Sequence, residues 1–134
     1  IHKVDLKGTV LKPNMVIQGS ESINKASSDE IAKRTLDCLK KNVPDKVPGI
    51  AFLSGGQSEI EASKNLNAIN KINDTNFLIT FSYGRGLQAS ALKEFGKNQK
   101  NLKGIQEAFD HRARMNGLSS KGEWSENLET EPAA

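Results

Sequence analysis

The sequence predicts an α/β protein with parallel strands. Three short apolar runs, residues 8–11, 47–53 and 77–82, alternate with helical patterns, and each run is followed by residues with special chemistry. The runs are continuous rather than alternating, as expected of parallel strands covered on both faces.

The first run, Gly8-Thr9-Val10-Leu11, is ended by Pro13. Lys12 therefore stands at a strand end, where α/β enzymes place their chemistry. A lysine amine held at a desolvated strand end can lose its proton and attack a carbonyl as a Schiff-base nucleophile. One lysine after a strand, taken alone, also reads as a solvated surface cation. The first helix opens at Ser27-Ser28-Asp29-Glu30, with capping residues and early acids, and Ile31, Leu36, Leu39 and Val43 form its apolar stripe. After the second strand, a helix begins near Ser58, passes through Ile60, Ala62, Leu66 and Ile69, and ends near Asn73-Asp74. A third helix is expected over residues 87–95. A fourth, over residues 99–115, carries Leu102, Ile105, Phe109 and Arg112 near one face. Beyond Asn116 the chain is polar and lacks a helical stripe. The expected organisation is βα units over residues 1–116 and a polar, mobile tail over 117–134.

The 134 residues suffice for one domain but not for a closed (βα)8 barrel, which needs at least about 200. The first residue is Ile1 rather than Met, as expected of a processed, trimmed or partial chain. No apolar run approaches the roughly 18 residues of a membrane span, and no secretory leader is visible, so no membrane partner is expected. Cys38 is the single cysteine and cannot form an internal disulfide, which fits a reduced, cytoplasmic setting. His2 and His111 have no metal-ligand spacing around them, and neither a metal nor a cofactor is expected. The net charge of +3 suits anionic small molecules. The basic residues are scattered and aromatics are few, which argues against nucleic acid.

Two loops have the makings of a phosphate site. After the second strand, Leu53-Ser54-Gly55-Gly56-Gln57 leads into a helix. Its glycines let backbone N–H groups approach an anion, Ser54 adds a hydroxyl, and the helix start adds a favourable dipole. After the third strand, Ser82-Tyr83-Gly84-Arg85-Gly86 again opens a helix, and Arg85 offers a fork of donors to phosphate oxygens. Each loop alone reads as an ordinary βα turn. Two at successive strand ends match the phosphate site that full βα barrels build after their last two strands.

Four stretches together resemble class I fructose-bisphosphate aldolase. They are Gly8-Thr9-Val10-Leu11-Lys12-Pro13-Asn14-Met15-Val16, Val47-Pro48-Gly49-Ile50-Ala51-Phe52-Leu53-Ser54-Gly55-Gly56, Asn65-Leu66-Asn67-Ala68-Ile69-Asn70 and Phe81-Ser82-Tyr83-Gly84-Arg85-Gly86-Leu87-Gln88-Ala89-Ser90-Ala91-Leu92. Their order and spacing also match, and Gln106-Glu107-Ala108-Phe109 and Lys121-Gly122 fit the family's C-terminal helical region. The resemblance covers nearly the whole chain and corresponds to about the last third of a family member. It implies strands six to eight of a (βα)8 TIM barrel with terminal helices. It makes Lys12 the Schiff-base lysine. It puts Ser54, Gly55, Gly84 and Arg85 on substrate-phosphate positions, with Leu53 and Ser82 lining the same pocket. It further implies a sugar-phosphate substrate, no metal, a cytosolic glycolytic role and a homotetramer.

The chain departs from the family pattern in several places. The N-terminal barrel strands, with their acid/base carboxylates, are not in this sequence. The family often ends in a functional tyrosine, whereas the only tyrosine here is Tyr83, inside a loop. Gly86 stands where alanine is common, a change expected to be mild. Gly19-Ser20-Glu21-Ser22 reproduces no strict motif and reads as a variable loop.

In the implied reaction, neutral Lys12 attacks a ketone, loss of water leaves an iminium, and this electron sink lets the bond between the third and fourth carbons break. The bound phosphate holds the ketone near the lysine. No general acid or base is visible beside Lys12. Asp5 precedes the strand and belongs at the opposite end of the sheet, and Glu59 opens a helix, where acids serve the dipole. Three strands of a barrel should also leave open edges and an uncovered face, so this stretch is expected to need the N-terminal half of the barrel as its partner. The alternative is a non-catalytic phosphate-binding or assembly module derived from a truncated aldolase.

Overall fold

The structure is a computed structural model and describes residues 2–130. Its centre is a three-stranded parallel sheet in the order β1-β2-β3, formed by β1 (Val10–Leu11), β2 (Gly49–Phe52) and β3 (Leu78–Phe81). Val10 pairs with Gly49, Gly49 with Leu78, and Phe52 with Phe81. Four helices complete the chain: α1 (Ser28–Asn42), α2 (Glu59–Lys71), α3 (Arg85–Lys97) and α4 (Leu102–Ser119). The three sequence runs thus contain the strands, and the α/β class with parallel strands is observed.

Local chemistry explains where the helices begin. Ser27 caps α1, its hydroxyl accepting the Glu30 N–H at 3.2 Å. Ser58 and Glu61 form a capping box on α2, with bonds of 3.0 and 3.2 Å. The Ser58 backbone N–H, helped by its hydroxyl, holds the Glu61 carboxyl below the usual carboxylate range against a smaller cost of burial. Asn101 caps α4 through the Gly104 N–H. Gly84 precedes α3 and contributes no side-chain cap, which leaves the first N–H groups of that helix unclaimed by a cap.

The core lies on one side of the sheet. Ile50 and Phe52 of β2 and Ile79 of β3 pack with Ile31, Leu36 and Leu39 of α1 and Ala62, Leu66 and Ile69 of α2. The expectation that both faces of the strands are covered is therefore corrected. Val10 is 64% exposed and Leu78 78% exposed, because the core helices α1 and α2 pack on the opposite face. The uncovered face expected of three strands taken from a barrel is what the sheet presents.

Two further readings change. The expected stripe of α4 holds only in part: Leu102 and Phe109 are exposed and Ile105 is half-buried, whereas Arg112 is buried together with Met115, Asn116 and Ser119. Helical spacing is preserved, but the inward stripe is largely polar and meets a polar partner, Ser63, on α2. Ser63 donates to Asn116 Oδ1 at 2.7 Å and accepts from Arg112 at 3.1 Å. Ile60 is likewise exposed rather than part of the α2 stripe.

The segment expected to be a mobile tail is docked where it is described. Residues 117–119 continue α4, and a 3-10 helix (Glu126–Glu129) follows. Trp124 is buried, its backbone N–H donating to Asn67 Oδ1 at 3.0 Å and its indole N–H to Glu129 at 2.7 Å. One aromatic and one acid anchor this segment without any periodicity, so a search for a stripe passes over it. Residues 131–134 of the expected tail lie outside the described residues.

Candidate active site

The singled-out residues meet at the C-terminal end of the sheet. Lys12 directly follows β1, Leu53 and Ser54 follow β2, and Ser82 follows β3. Backbone pairing continues past the strand ends: the Leu53 N–H donates to the Pro13 carbonyl at 3.0 Å and the Ser82 N–H to the Phe52 carbonyl at 2.8 Å. By strand alternation Lys12, Leu53 and Ser82 belong to the open face, together with Val10, Ala51 and Thr80. Lys12 and Ser82 are exposed and Leu53 is half-buried. Asp5 lies at the other end of β1, ahead of a short 3-10 helix (Leu6–Gly8), where it caps Lys7.

The loop after β2 is shaped by its glycines. Gly55 and Gly56 have φ of +59° and +82°, a region that side chains disfavour. A Cβ at Gly55 would also collide with the Asn14 side chain, so Asn14 occupies the space that glycine leaves. Ser54 is buried, and its carbonyl accepts two bonds of 3.0 Å from Gln57, one from the backbone and one from the side-chain amide. Asn65 of α2 fixes that amide through a 2.7 Å bond to Gln57 Oε1.

The loop after β3 sits against this one. Gly84 immediately precedes α3 and Arg85 is the first residue of that helix; both are exposed. Gly86 is buried against Ser54: a Cβ there would stand 2.9 Å from Ser54 Cβ. The glycine is thus more than the mild replacement expected, because alanine would push the two loops apart. No backbone acceptor among the described residues takes the N–H of Gly55, Gly56, Arg85 or Gly86. Tyr83 is structural, its hydroxyl donating to the Ala62 carbonyl at 3.0 Å, and burial raises its pKa strongly. Among the described residues no cluster of His, Cys, Asp and Glu is placed to hold a metal, and no helix is long and apolar enough to cross a membrane.

A parallel sheet with a lysine at one strand end and two adjoining glycine loops narrows the field, and comparison with known proteins decides it. The family model for fructose-bisphosphate aldolase class-I matches residues 1–134. This chain belongs to the class-I fructose-bisphosphate aldolase family. It is 51% identical over 124 residues to the muscle-type fructose-bisphosphate aldolase of Lethenteron camtschaticum, a match covering 92% of this chain and 34% of the relative. It is 49% identical over 125 residues to fructose-bisphosphate aldolase 2 of Caenorhabditis elegans, again covering 92% and 34%. A solved fructose-bisphosphate aldolase of Plasmodium falciparum, crystallised with TRAP and a small-molecule inhibitor, superposes with a TM-score of 0.87 at 42% identity. That likeness covers 92% of this chain and 35% of the Plasmodium chain. The chain spans about a third of the length of the aldolases it matches.

Sequence reasoning passed over several residues that shape these loops. Asn14 and Gln57 brace the Ser54–Gly55 turn, yet single amides in loops carry no pattern. Glu59 reads as a helix-start acid, and its partner on α3 is 31 residues away. Its presence at a helix start was legible; the partner was not.

Proposed function

We propose that this chain forms strands six to eight of a (βα)8 barrel in a Schiff-base aldolase. The whole enzyme cleaves fructose 1,6-bisphosphate to dihydroxyacetone phosphate and glyceraldehyde 3-phosphate. The observation that carries this reading is the convergence of Lys12 with two adjoining glycine loops at one end of a parallel sheet, in a member of the aldolase family. Lys12 is the nucleophile. Ser54, Gly55, Gly84 and Arg85 hold a substrate phosphate, and Leu53 and Ser82 line the pocket between them. The free N–H groups at Gly55 and at the start of α3 supply donors suited to an anion.

A lysine attacks a carbonyl as the free amine, and desolvation favours that form. Lys12 is exposed in this chain, and the sheet face beside it is open. The N-terminal half of a barrel would cover that face and bring the proton-transfer groups. The working enzyme on this reading is a cytoplasmic glycolytic lyase and a homotetramer that needs no metal. The exposure of Lys12 favours a second reading for the chain by itself, a phosphate-binding or assembly module without turnover.

Borohydride reduction in the presence of substrate, followed by peptide mapping, tests the nucleophile. The expected product carries its label on Lys12 once the chain is combined with an N-terminal barrel half. Label on another lysine, with none on Lys12, overturns the assignment. Cleavage of fructose 1,6-bisphosphate only after that combination supports the barrel-part reading, and full turnover by the chain alone refutes it.

A further inference from the structure

Glu59 makes an unusual connection. It is the first residue of α2, yet its carboxylate turns toward the neighbouring helix. Glu59 Oε1 accepts the backbone N–H of Ser90 at 2.9 Å, and Oε2 accepts the Ser90 hydroxyl. Ser90 lies one turn beyond Gly86 in α3. The same stretch of α3 touches the loop after β2 at a second point, where the bare backbone of Gly86 meets Ser54 Cβ. These two contacts, one polar and one steric, join the helix that begins at Arg85 to the loop that carries Ser54 and Gly55.

We propose that Glu59 is a positioning residue that sets the spacing between the two phosphate-binding loops. The inference rests on the phosphate site described under Proposed function and adds to it the part that holds its halves in register. A bidentate carboxylate is suited to this task. Its two oxygens take one backbone donor and one side-chain donor from the same residue, which fixes both the slide and the rotation of α3 against α2. Gly86 permits the close approach and Glu59 holds it. Without Glu59, α3 still packs on α4, but its first turn is free to move away from Ser54, and the N–H groups on the two sides no longer converge on one anion.

Charge makes the idea testable by sign. Removing a carboxylate near an anion site should tighten anion binding on Coulombic grounds alone. The positioning role demands the reverse for a substitution that removes the hydrogen bonds, and demands little loss for one that keeps them. The experiment is a titration with inorganic phosphate of the isotope-labelled chain combined with an N-terminal barrel half, followed by amide NMR at Gly55, Gly84 and Arg85, with the dispersion of the labelled amides reporting that each variant is folded. Glu59→Ala is expected to weaken phosphate binding by at least about fivefold, the loss of roughly one hydrogen bond. Glu59→Gln keeps an acceptor for the Ser90 N–H and sheds the charge, and should bind phosphate at least as tightly as the unaltered chain. Ser90→Ala keeps the backbone donor and should lose less than Glu59→Ala; it also serves if Glu59→Ala fails to fold. Equal or tighter binding by Glu59→Ala, or an equal loss in Ala and Gln variants, overturns the positioning role while leaving the phosphate site intact. If phosphate shifts none of these amides in the unaltered chain, the phosphate-site reading fails and the positioning role falls with it.

Discussion

Arg112 on α4 and Glu129 in the C-terminal segment form a paired ion bridge, with bonds of 3.0 and 2.7 Å. The two side chains are only 5% and 8% exposed. Trp124 donates to the same carboxylate at 2.7 Å, and His111 stands 3.4 Å from it. Arg112 also reaches Ser63 of α2, so one guanidinium joins three parts of the chain. Two charges so enclosed are tolerated because nearly every polar atom has a partner.

Removing one partner should therefore be costly. Glu129→Ala leaves Arg112 with Ser63 alone, and breaking a buried pair typically costs about 3–5 kcal/mol. Urea unfolding followed by Trp124 emission is the measurement. A lower midpoint together with a red-shifted native emission is the expected result. An unchanged midpoint would mean that the segment contributes nothing to stability.

Acid should release the same contact. Burial disfavours ionisation of Glu129, but hydrogen bonds from Arg112, Trp124 and His111, with the charge of Arg112, outweigh it and hold the carboxyl below its ordinary range. A depressed folded-state pKa adds stability that is present above the unfolded value of about 4.3 and is lost as pH falls through the folded value. Trp124 emission should shift to the red in that acid window, and Glu129→Gln should remove the transition.

Arg85→Ala should weaken a phosphorylated ketose far more than an unphosphorylated one. A charge-assisted hydrogen bond is worth roughly 1.5–3 kcal/mol, so the loss should exceed about tenfold. Binding measured with both ligands in the reconstituted barrel decides the matter, and equal losses would make Arg85 structural.

Gly55→Ala should damage both loop and fold. The left-handed backbone costs about 1–2 kcal/mol for a side-chain-bearing residue, and the new methyl must also displace Asn14. Thermal unfolding should register that strain. Gly8→Ala is the control, since a Cβ there meets nothing within 4 Å and the position lies outside the loops.

The sequence by itself determined the α/β class, the three strands and the helix starts at Ser27 and Ser58. It also determined the placement of Lys12 and Ser54 just past strand ends and of Arg85 at a helix start. These features are local. A proline ends a strand, a serine accepts a helix N–H, and an apolar run fixes where backbone must be buried. Only the tertiary structure decided which sheet face is covered, that Gly86 lies against Ser54, that Glu59 reaches Ser90, and that Glu129 closes on Arg112. Those facts depend on contacts between residues far apart in the chain. An apolar strand residue is equally apolar whether a helix covers it or, like Leu78, it stands open, and a lone acid carries no mark of the partner that folding will bring to it.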